Sequence, residues 1–483
     1  MRGSRRPPAP RHAGEQRGFS MARSVAGLWR EPRSQLALLT APRVLVVSFM
    51  GAIGLGALGF RWLPGLTPGP PLGWVDALFM ATSAVCVTGL SVLDVSSDLT
   101  WAGQLWLLIL IQSGALGILT FASLVIGLTG GRASLAVEEA SHGPAHLMPT
   151  TRPARLLRLA VVGTLGAELL GAVILWSVWR HDFGATGALW PALFHAVSAF
   201  CNAGFSLFSD SFVGFRERET LLLPVAALIV LGGLGFPVLE DLRARVLGRR
   251  PRLCLHSKLL LLSTGLFLAG GTALYLGLEN GQTLAGLPVA DRVSNAFFMS
   301  VTARTAGFHT VDYDTISNAS LLLTLALMWI GGGPASVAGG VKITTVAILG
   351  LLLWSRLRGE HSVSAFGRSV PPETVQRATG LAVGAFLILA LASFLLLAFG
   401  GVSATPAGDR IGLTRLVFEV QSALGTVGLS MGETARLTPF GRVVIVAVML
   451  LGRVGPLAVL AAMALGRRRR AGAGFRYGHE QVL

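Results

Sequence analysis

Four short segments of this chain share a composition able to take a cation out of water. They read VCVTGLS over 85–91, FCNAGFS over 200–206, ARTAGFH over 303–309 and LGTVGLS over 424–430. Their glycines, Gly89, Gly204, Gly307 and Gly428, lie 115, 103 and 121 residues apart. A cation that sheds its water shell needs oxygens in exchange, and main-chain carbonyls turned toward one axis supply them. Glycine admits the backbone conformations that turn carbonyls inward. The expected ion site is therefore Val87, Thr88 and Gly89, with Asn202, Ala203 and Gly204, Thr305, Ala306 and Gly307, and Thr426, Val427 and Gly428. The four segments differ in sequence, so the ring they predict is only approximately fourfold.

A glycine-rich patch follows each of these glycines by 24 to 28 residues: Gly114–Gly117, Gly232–Gly235, Gly331–Pro334 and Gly452–Pro456. In the first two patches the plain expectation is close helix packing. The third runs on as GGGPASVAGG and should break a membrane helix. Its expected form is a flexible intramembrane loop beneath the third segment, made of Gly331, Gly332, Gly333, Pro334, Ala335, Ser336, Gly339 and Gly340 with the adjoining Lys342. Arg453, set in the fourth patch, reads equally as a latch on that loop or as a packing salt bridge, and Glu168 reads either as its partner or as an independent packing feature. Glu419 is expected to cap the fourth short helix near the surface, His195 to be structural and Arg304 to brace the third segment.

The elements around these residues must be membrane helices. Hydrophobic residues make up 52% of the 483 and charged residues 13%, about half the share of a soluble domain. Stretches such as 44–60, 105–128, 160–178, 259–278, 381–399 and 443–465 are nearly charge-free and long enough to span a bilayer. Unbroken apolar runs exclude an alternating β-barrel pattern. The predicted fold class is an all-α polytopic membrane protein of four helix–re-entrant pore helix–helix repeats around a pseudo-fourfold axis. The short members are 74–87, 190–202, 293–305 and 416–426. Repeat boundaries fall at 35–130, 131–250, 251–358 (its second helix broken) and 359–466. A tail over 1–34, Arg-rich and disordered, and another over 467–483 flank them; Met1 and Met21 are both available starts.

The net charge of +16 gathers in Arg clusters between the apolar runs. That is the pattern of cytoplasmic connections and anionic lipid contact, and it argues against nucleic acid. Both termini are expected in the cytoplasm. Cys86, Cys201 and Cys254 have neither metal nor disulfide spacing. Intramembrane His, Asp and Glu are scattered, which excludes the clustered chemistry of an enzyme. A secondary transporter of sodium or a small organic solute is the alternative reading, although such folds favour two repeats over four.

With the motifs VCVTGLS, AFCNAGFS, TARTAGFHTVD, SALGTVGLSMG, GGGPASVAGGVKITT and GRVGPL in this order, the chain resembles the Trk, Ktr and HKT potassium transporter superfamily over nearly all of 37–466. It is most similar to a Ktr-type membrane pore subunit, because a single crossing precedes the first motif. The resemblance implies potassium uptake across a bacterial cytoplasmic membrane, with K+ held at the backbone carbonyls of the four segments as a selectivity filter. It implies that 331–340 is the gating loop and that Arg453 helps to close it. Glycine at position 89 is similar to the potassium-selective members. Sodium enters this picture as an activating or coupling ion. The resemblance further implies a homodimer seated on a cytoplasmic regulatory subunit that binds nucleotide. This chain holds no Rossmann-like G-x-G-x-x-G after a strand and no soluble domain long enough to carry one, so no nucleotide is expected on the chain itself. Residues 475–479 resemble the family's dimer-contact tail. The Arg-rich extension and the Gly332-Gly333-Pro334 sequence depart from the family pattern.

Overall fold

The computed structural model describes residues 31–128, 153–249, 251–360, 362–402 and 412–455. Three long apolar helices come first: α1 (Glu31–Trp62), α3 (Trp101–Leu128) and α4 (Pro153–Gly187), with the short α2 (Trp74–Val85) between α1 and α3. Then come α5 (Leu189–Phe200), α6 (Glu219–Leu234), α7 (Phe236–Val246) and α8 (Leu255–Glu279). The remainder is α9 (Val289–Thr302), α10 (Asn318–Met328), α11 (Ile343–Leu357), α12 (Pro372–Ala398), α13 (Leu413–Gly425), α14 (Glu433–Arg436) and α15 (Pro439–Val454). One antiparallel hairpin, β1 (Ser364–Ala365) with β2 (Arg368–Ser369), turns on Phe366 and Gly367 at φ 52° and 73°.

Among the described residues, Leu45–Trp62, Ala160–Gly187, Leu255–Glu279 and Pro372–Ala398 are each long and apolar enough to cross a bilayer. The pair α6 and α7 qualifies together. Large apolar side chains face outward along these spans, among them Val47, Leu55, Leu169, Leu266, Phe386 and Leu391. Polar side chains such as Thr82, Ser198, Asn202, Glu419 and Arg453 are buried within. That inversion of a soluble protein's surface marks a multi-pass membrane protein. The short helices α2, α5, α9 and α13 lie inside, with Phe79, Phe194, Phe298 and Phe418 fully buried. At 12, 12, 14 and 13 residues, each rises only about 18–21 Å.

The sequence reading erred in two places here. Residues 31–34, assigned to the tail, form the first turn of α1; the rest of that tail, the tail over 467–483 and Pro456 lie outside the described residues. The second helix of the 131–250 repeat, expected unbroken since only the third repeat's was read as broken, breaks at Gly235 (φ 87°, ψ 140°) and turns by 100°. Glycine takes this positive φ without a Cβ penalty, and Pro237 then starts the new helix where its missing N–H costs nothing. Gly455 ends α15 in nearly the same conformation, φ 88° and ψ 141°. The break expected in the third patch is present: 329–342 separates α10 from α11.

Candidate functional site

Each short helix runs directly into one of the glycine segments, and the four exits share a backbone pattern. φ is positive at Val87 and Gly89, Asn202 and Gly204, Thr305 and Gly307, and Thr426 and Gly428. In each case the residue between them has ordinary negative φ. Non-glycine residues in this region are uncommon, so four in register point to a conformation that the surroundings enforce.

The glycines form a closed ring. A Cβ on Gly89 would lie 2.5 Å from the Ala203 carbonyl oxygen and 3.2 Å from the Gly204 Cα; one on Gly204 would lie 2.8 Å from the Ala306 oxygen and 3.0 Å from the Gly307 Cα. On Gly307 it would lie 2.6 Å from the Val427 oxygen and 3.2 Å from the Gly428 Cα. On Gly428 it would strike the Thr88 oxygen and lie 3.1 Å from the Gly89 Cα, closing the circuit. Every glycine thus leaves its Cβ space to the carbonyl of the next segment. All twelve expected ion-site residues are in these four loops, buried or nearly so.

Hydroxyls in the last helical turns hold the loops. The Ser83 and Ser422 Oγ accept from the N–H of Gly89 and Gly428 at 3.1 and 3.0 Å. The Ser198 and Thr302 hydroxyls donate to the carbonyls of Phe205 and Phe308. Asn202 and Thr305 are hydrogen-bonded to each other at 3.2 Å. These hydroxyls escaped the sequence reading, although serine recurs six residues before the glycine in three of the four segments.

A second tie spans eleven residues. Ser91 Oγ meets Met80 Sδ at 3.3 Å, His195 Nε2 meets Ser206 Oγ at 3.0 Å, and Ser430 Oγ donates to Glu419 at 2.8 Å. His195 also accepts from the Leu207 N–H at 3.2 Å, which fits its structural reading. Glu419 corrects the expectation of a surface cap. It lies in the middle of α13, fully buried, and accepts from Thr434 as well as Ser430. It anchors the chain beyond Gly428. Glu419→Ala would leave both hydroxyls without their acceptor, at a cost of about 1–3 kcal/mol. Thermal unfolding in detergent should show the loss, and an unchanged midpoint would remove the anchoring role.

The glycine patches pack as expected. A Cβ on Gly114, Gly232 or Gly452 would collide with the carbonyl of Val85, Phe200 or Leu424, each the fourth residue before a ring glycine. These contacts seat α3, α6 and α15 directly against the ends of α2, α5 and α13. Alanine at Gly114 or Gly232 should destabilise the fold by about 1–3 kcal/mol. At Gly117, with nothing within 4 Å, alanine should be neutral in the same unfolding assay.

The loop 331–342 is tied to its surroundings mainly through backbone. Within it, Gly331 N–H donates to Val341 at 2.8 Å and Ile343 N–H to Gly332 at 3.1 Å. Toward α6 and α7, Gly333 N–H donates to Gly233 at 2.8 Å, and the Ala335 carbonyl accepts from Phe236 at 3.2 Å. Toward α15, Gly340 N–H donates to Gly452 at 3.3 Å. Ala335 has φ 53°, and Pro334 lies with its carbonyl 2.6 Å from the Cβ space of Gly235. Ser336 Oγ accepts from the Ala338 N–H at 3.2 Å. Gly339 abuts the Thr426 side chain, and a Cβ on Gly340 would lie 2.9 Å from the Gly425 oxygen. The loop therefore presses on the fourth glycine segment. Lys342 Nζ donates back to the Ala338 carbonyl at 2.7 Å.

Arg453, fully buried, donates through Nη1 to the Val337 carbonyl and through Nη2 to the Gly114 carbonyl at 3.1 Å. It joins the loop to α3 across the molecule. Glu168 is not its partner: that carboxylate accepts from Gln112 Nε2 at 3.1 Å and from the Cys201 thiol at 3.5 Å. Carbonyls, not a carboxylate, answer the buried guanidinium. Arg304 also departs from expectation, because among the described residues its side chain makes no hydrogen bond to the third segment. Among those residues no cluster of His, Cys, Asp and Glu could hold a metal ion. Beyond the first loop, partial burial pushes the Asp94 carboxyl up, but hydrogen bonds from Ser209 and Ser96 outweigh it and hold the group below its ordinary value.

The apolar exterior and the buried short helices define a multi-pass, all-α membrane protein. The comparisons agree. Residues 43–467 match the TrkH family, described as Cation transport protein. The chain is 38% identical over 411 residues to the Potassium/sodium uptake protein NtpJ of Enterococcus hirae, covering 85% of this chain and 89% of that one. It is 36% identical over 418 residues to the Ktr system potassium uptake protein B of Vibrio alginolyticus, covering 86% and 90%. The crystal structure of the Potassium Transporter TrkH from Vibrio parahaemolyticus superposes with a TM-score of 0.68 at 19% identity, over 88% of this chain and 84% of that one. The chain belongs to the TrkH family of cation transport proteins. Its relatives are ion transporters, not enzymes.

Proposed function

We propose that this chain carries potassium into the cell through the ring formed by Gly89, Gly204, Gly307 and Gly428. One observation carries the reading: each glycine's Cβ space is filled by the carbonyl oxygen of the residue before the next glycine, all the way round. Carbonyls of Thr88, Ala203, Ala306 and Val427 thus gather on one axis, where they can replace the hydration shell of a monovalent ion. The short helices end just before the ring, at Val85, Phe200, Thr302 and Gly425. Their partly negative C-terminal ends add to the attraction for a cation. On this reading α2, α5, α9 and α13 are re-entrant pore helices, the chain is four repeats, and irregular backbone at membrane depth is tolerated because it lines a watery path.

The gate in this reading is the loop 331–342. It touches Thr426 and Gly425 at the fourth segment, and Arg453 holds its Val337 carbonyl. On this reading its bonds to α6, α15 and, through Arg453, α3 hold the gate closed. Both termini lie in the cytoplasm of a bacterial inner membrane, in keeping with the Arg-rich connections. The relative named as part of a Ktr system supports a multi-subunit assembly. We place this chain in a homodimer with a cytoplasmic nucleotide-binding regulator. Copurification of such a regulator tests the assembly.

Sodium is the second reading, favoured by the relative named for both ions. Flux of each cation into proteoliposomes separates the two. The expected result is potassium uptake far exceeding sodium uptake, with rescue of an uptake-deficient bacterium at low external potassium. Equal flux of both ions, or no rescue by a well-expressed protein, would overturn the proposal.

A further inference from the structure

Arg304 occupies the position three residues before its ring glycine, where the other segments have Cys86, Cys201 and Gly425. It is the one charge in that set. Its residue is 9% exposed, its Nε has no hydrogen-bond partner, and no carboxylate pairs with it among the described residues. A guanidinium carries five donors and keeps its charge at any working pH. Such a group is not left at membrane depth without compensation. Arg453, the other deeply buried arginine, meets two carbonyls. Arg304 meets none.

It lines a cavity instead. The cavity is about 20 Å³, room for roughly one water-sized particle. Asn202, Gly233, Thr264, Gly331 and Gly332 share its wall with Arg304. No acidic side chain is among the lining residues. The Gly332 N–H, part of that wall, donates no hydrogen bond among the described residues. All the lining residues come from 202–234 and 264–343. The first and fourth glycine segments contribute nothing, so the cavity lies off the ring axis, behind the second and third segments.

We propose that this cavity is a site for a single monatomic anion, chloride in the cell, held by the Arg304 guanidinium. The Thr264 hydroxyl and the Gly332 N–H complete the donor set. A cation is excluded by the fixed positive charge, and a polyatomic anion such as phosphate by the volume. The anion neutralises a charge that would otherwise sit immediately before Thr305 and repel a cation in the ring. The same ion touches the loop at Gly331 and Gly332. The binding claim does not depend on the potassium reading, because it follows from an uncompensated charge beside a small donor-lined void.

Bromide is the probe, since it mimics chloride and scatters anomalously. Crystals of the full chain exchanged into bromide should show an anomalous peak between Arg304, Thr264 and Gly332. In Arg304→Gln crystals the peak should vanish. The purified parent should also unfold at higher temperature in chloride or bromide than in gluconate at equal ionic strength, and Arg304→Gln should lose that difference. A parent without the peak, or a peak that persists in Arg304→Gln, overturns the proposal. If Arg304→Gln does not fold, the parent crystals alone decide.

Discussion

Gly307→Ala should cut potassium flux at least about tenfold and abolish preference over sodium. Two costs act together. Residue 307 sits at φ 84°, where an L side chain is strained, at roughly 1–3 kcal/mol. The added methyl would also lie 2.6 Å from the Val427 carbonyl oxygen and 3.0 Å from the Gly204 Cα. Both neighbours are backbone, so neither can swing aside, and the carbonyl must rotate away from the axis. Since about 1.4 kcal/mol is a tenfold change in an equilibrium, the strain alone accounts for the expected loss. Gly350→Ala is the control, with nothing within 4 Å of the new methyl. Proteoliposome flux of the two variants beside the parent checks the effect. Parent-like potassium flux and selectivity in Gly307→Ala would dissolve the ring assignment.

Arg453→Gln should raise flux through the resting protein about tenfold or more. Arg453 bonds the Val337 carbonyl of the loop and the Gly114 carbonyl of α3. A hydrogen bond from a charged donor contributes about 1.5–3 kcal/mol, and losing the one to Val337 shifts the loop toward release by that amount. Removing Gly333–Ala338 should raise flux in the same direction, because it deletes the bonds to Gly232, Gly233 and Phe236 together. Flux unchanged in a well-folded Arg453→Gln protein would return Arg453 to the packing role that the sequence also allowed.

The central pattern was legible because it depends on local backbone demands. The ring glycines announce themselves by recurrence, and each one proves to need its missing Cβ. The third patch was legible for the same reason: glycines and a proline cannot sustain a helix. The break at Gly235 was missed, yet it carried a signal, since Pro237 follows two residues later, and in the third and fourth patches Pro334 and Pro456 follow Gly333 and Gly455 directly. Side-chain partners were much less legible. Glu168 and Arg453 were natural partners as two charges in an apolar sequence, but folding places Gln112 and Cys201 against the one and bare carbonyls against the other. Glu419 was misjudged because α13 begins at Leu413, three residues earlier than the sequence pattern implied. That shift moves it from the helix start to mid-helix, where it can reach Ser430. The cavity beside Arg304 arises where α6, α8, α9, the second and third glycine segments and the loop before α11 meet, and it leaves no trace in composition.

The position of a bound monovalent cation tests the central claim most directly. Crystals exchanged into rubidium, which stands in for potassium and scatters anomalously, should show a peak on the axis encircled by the carbonyls of Thr88, Ala203, Ala306 and Val427. That peak should weaken or disappear in Gly307→Ala. Rubidium bound elsewhere in the protein, with none inside the ring, would contradict the account.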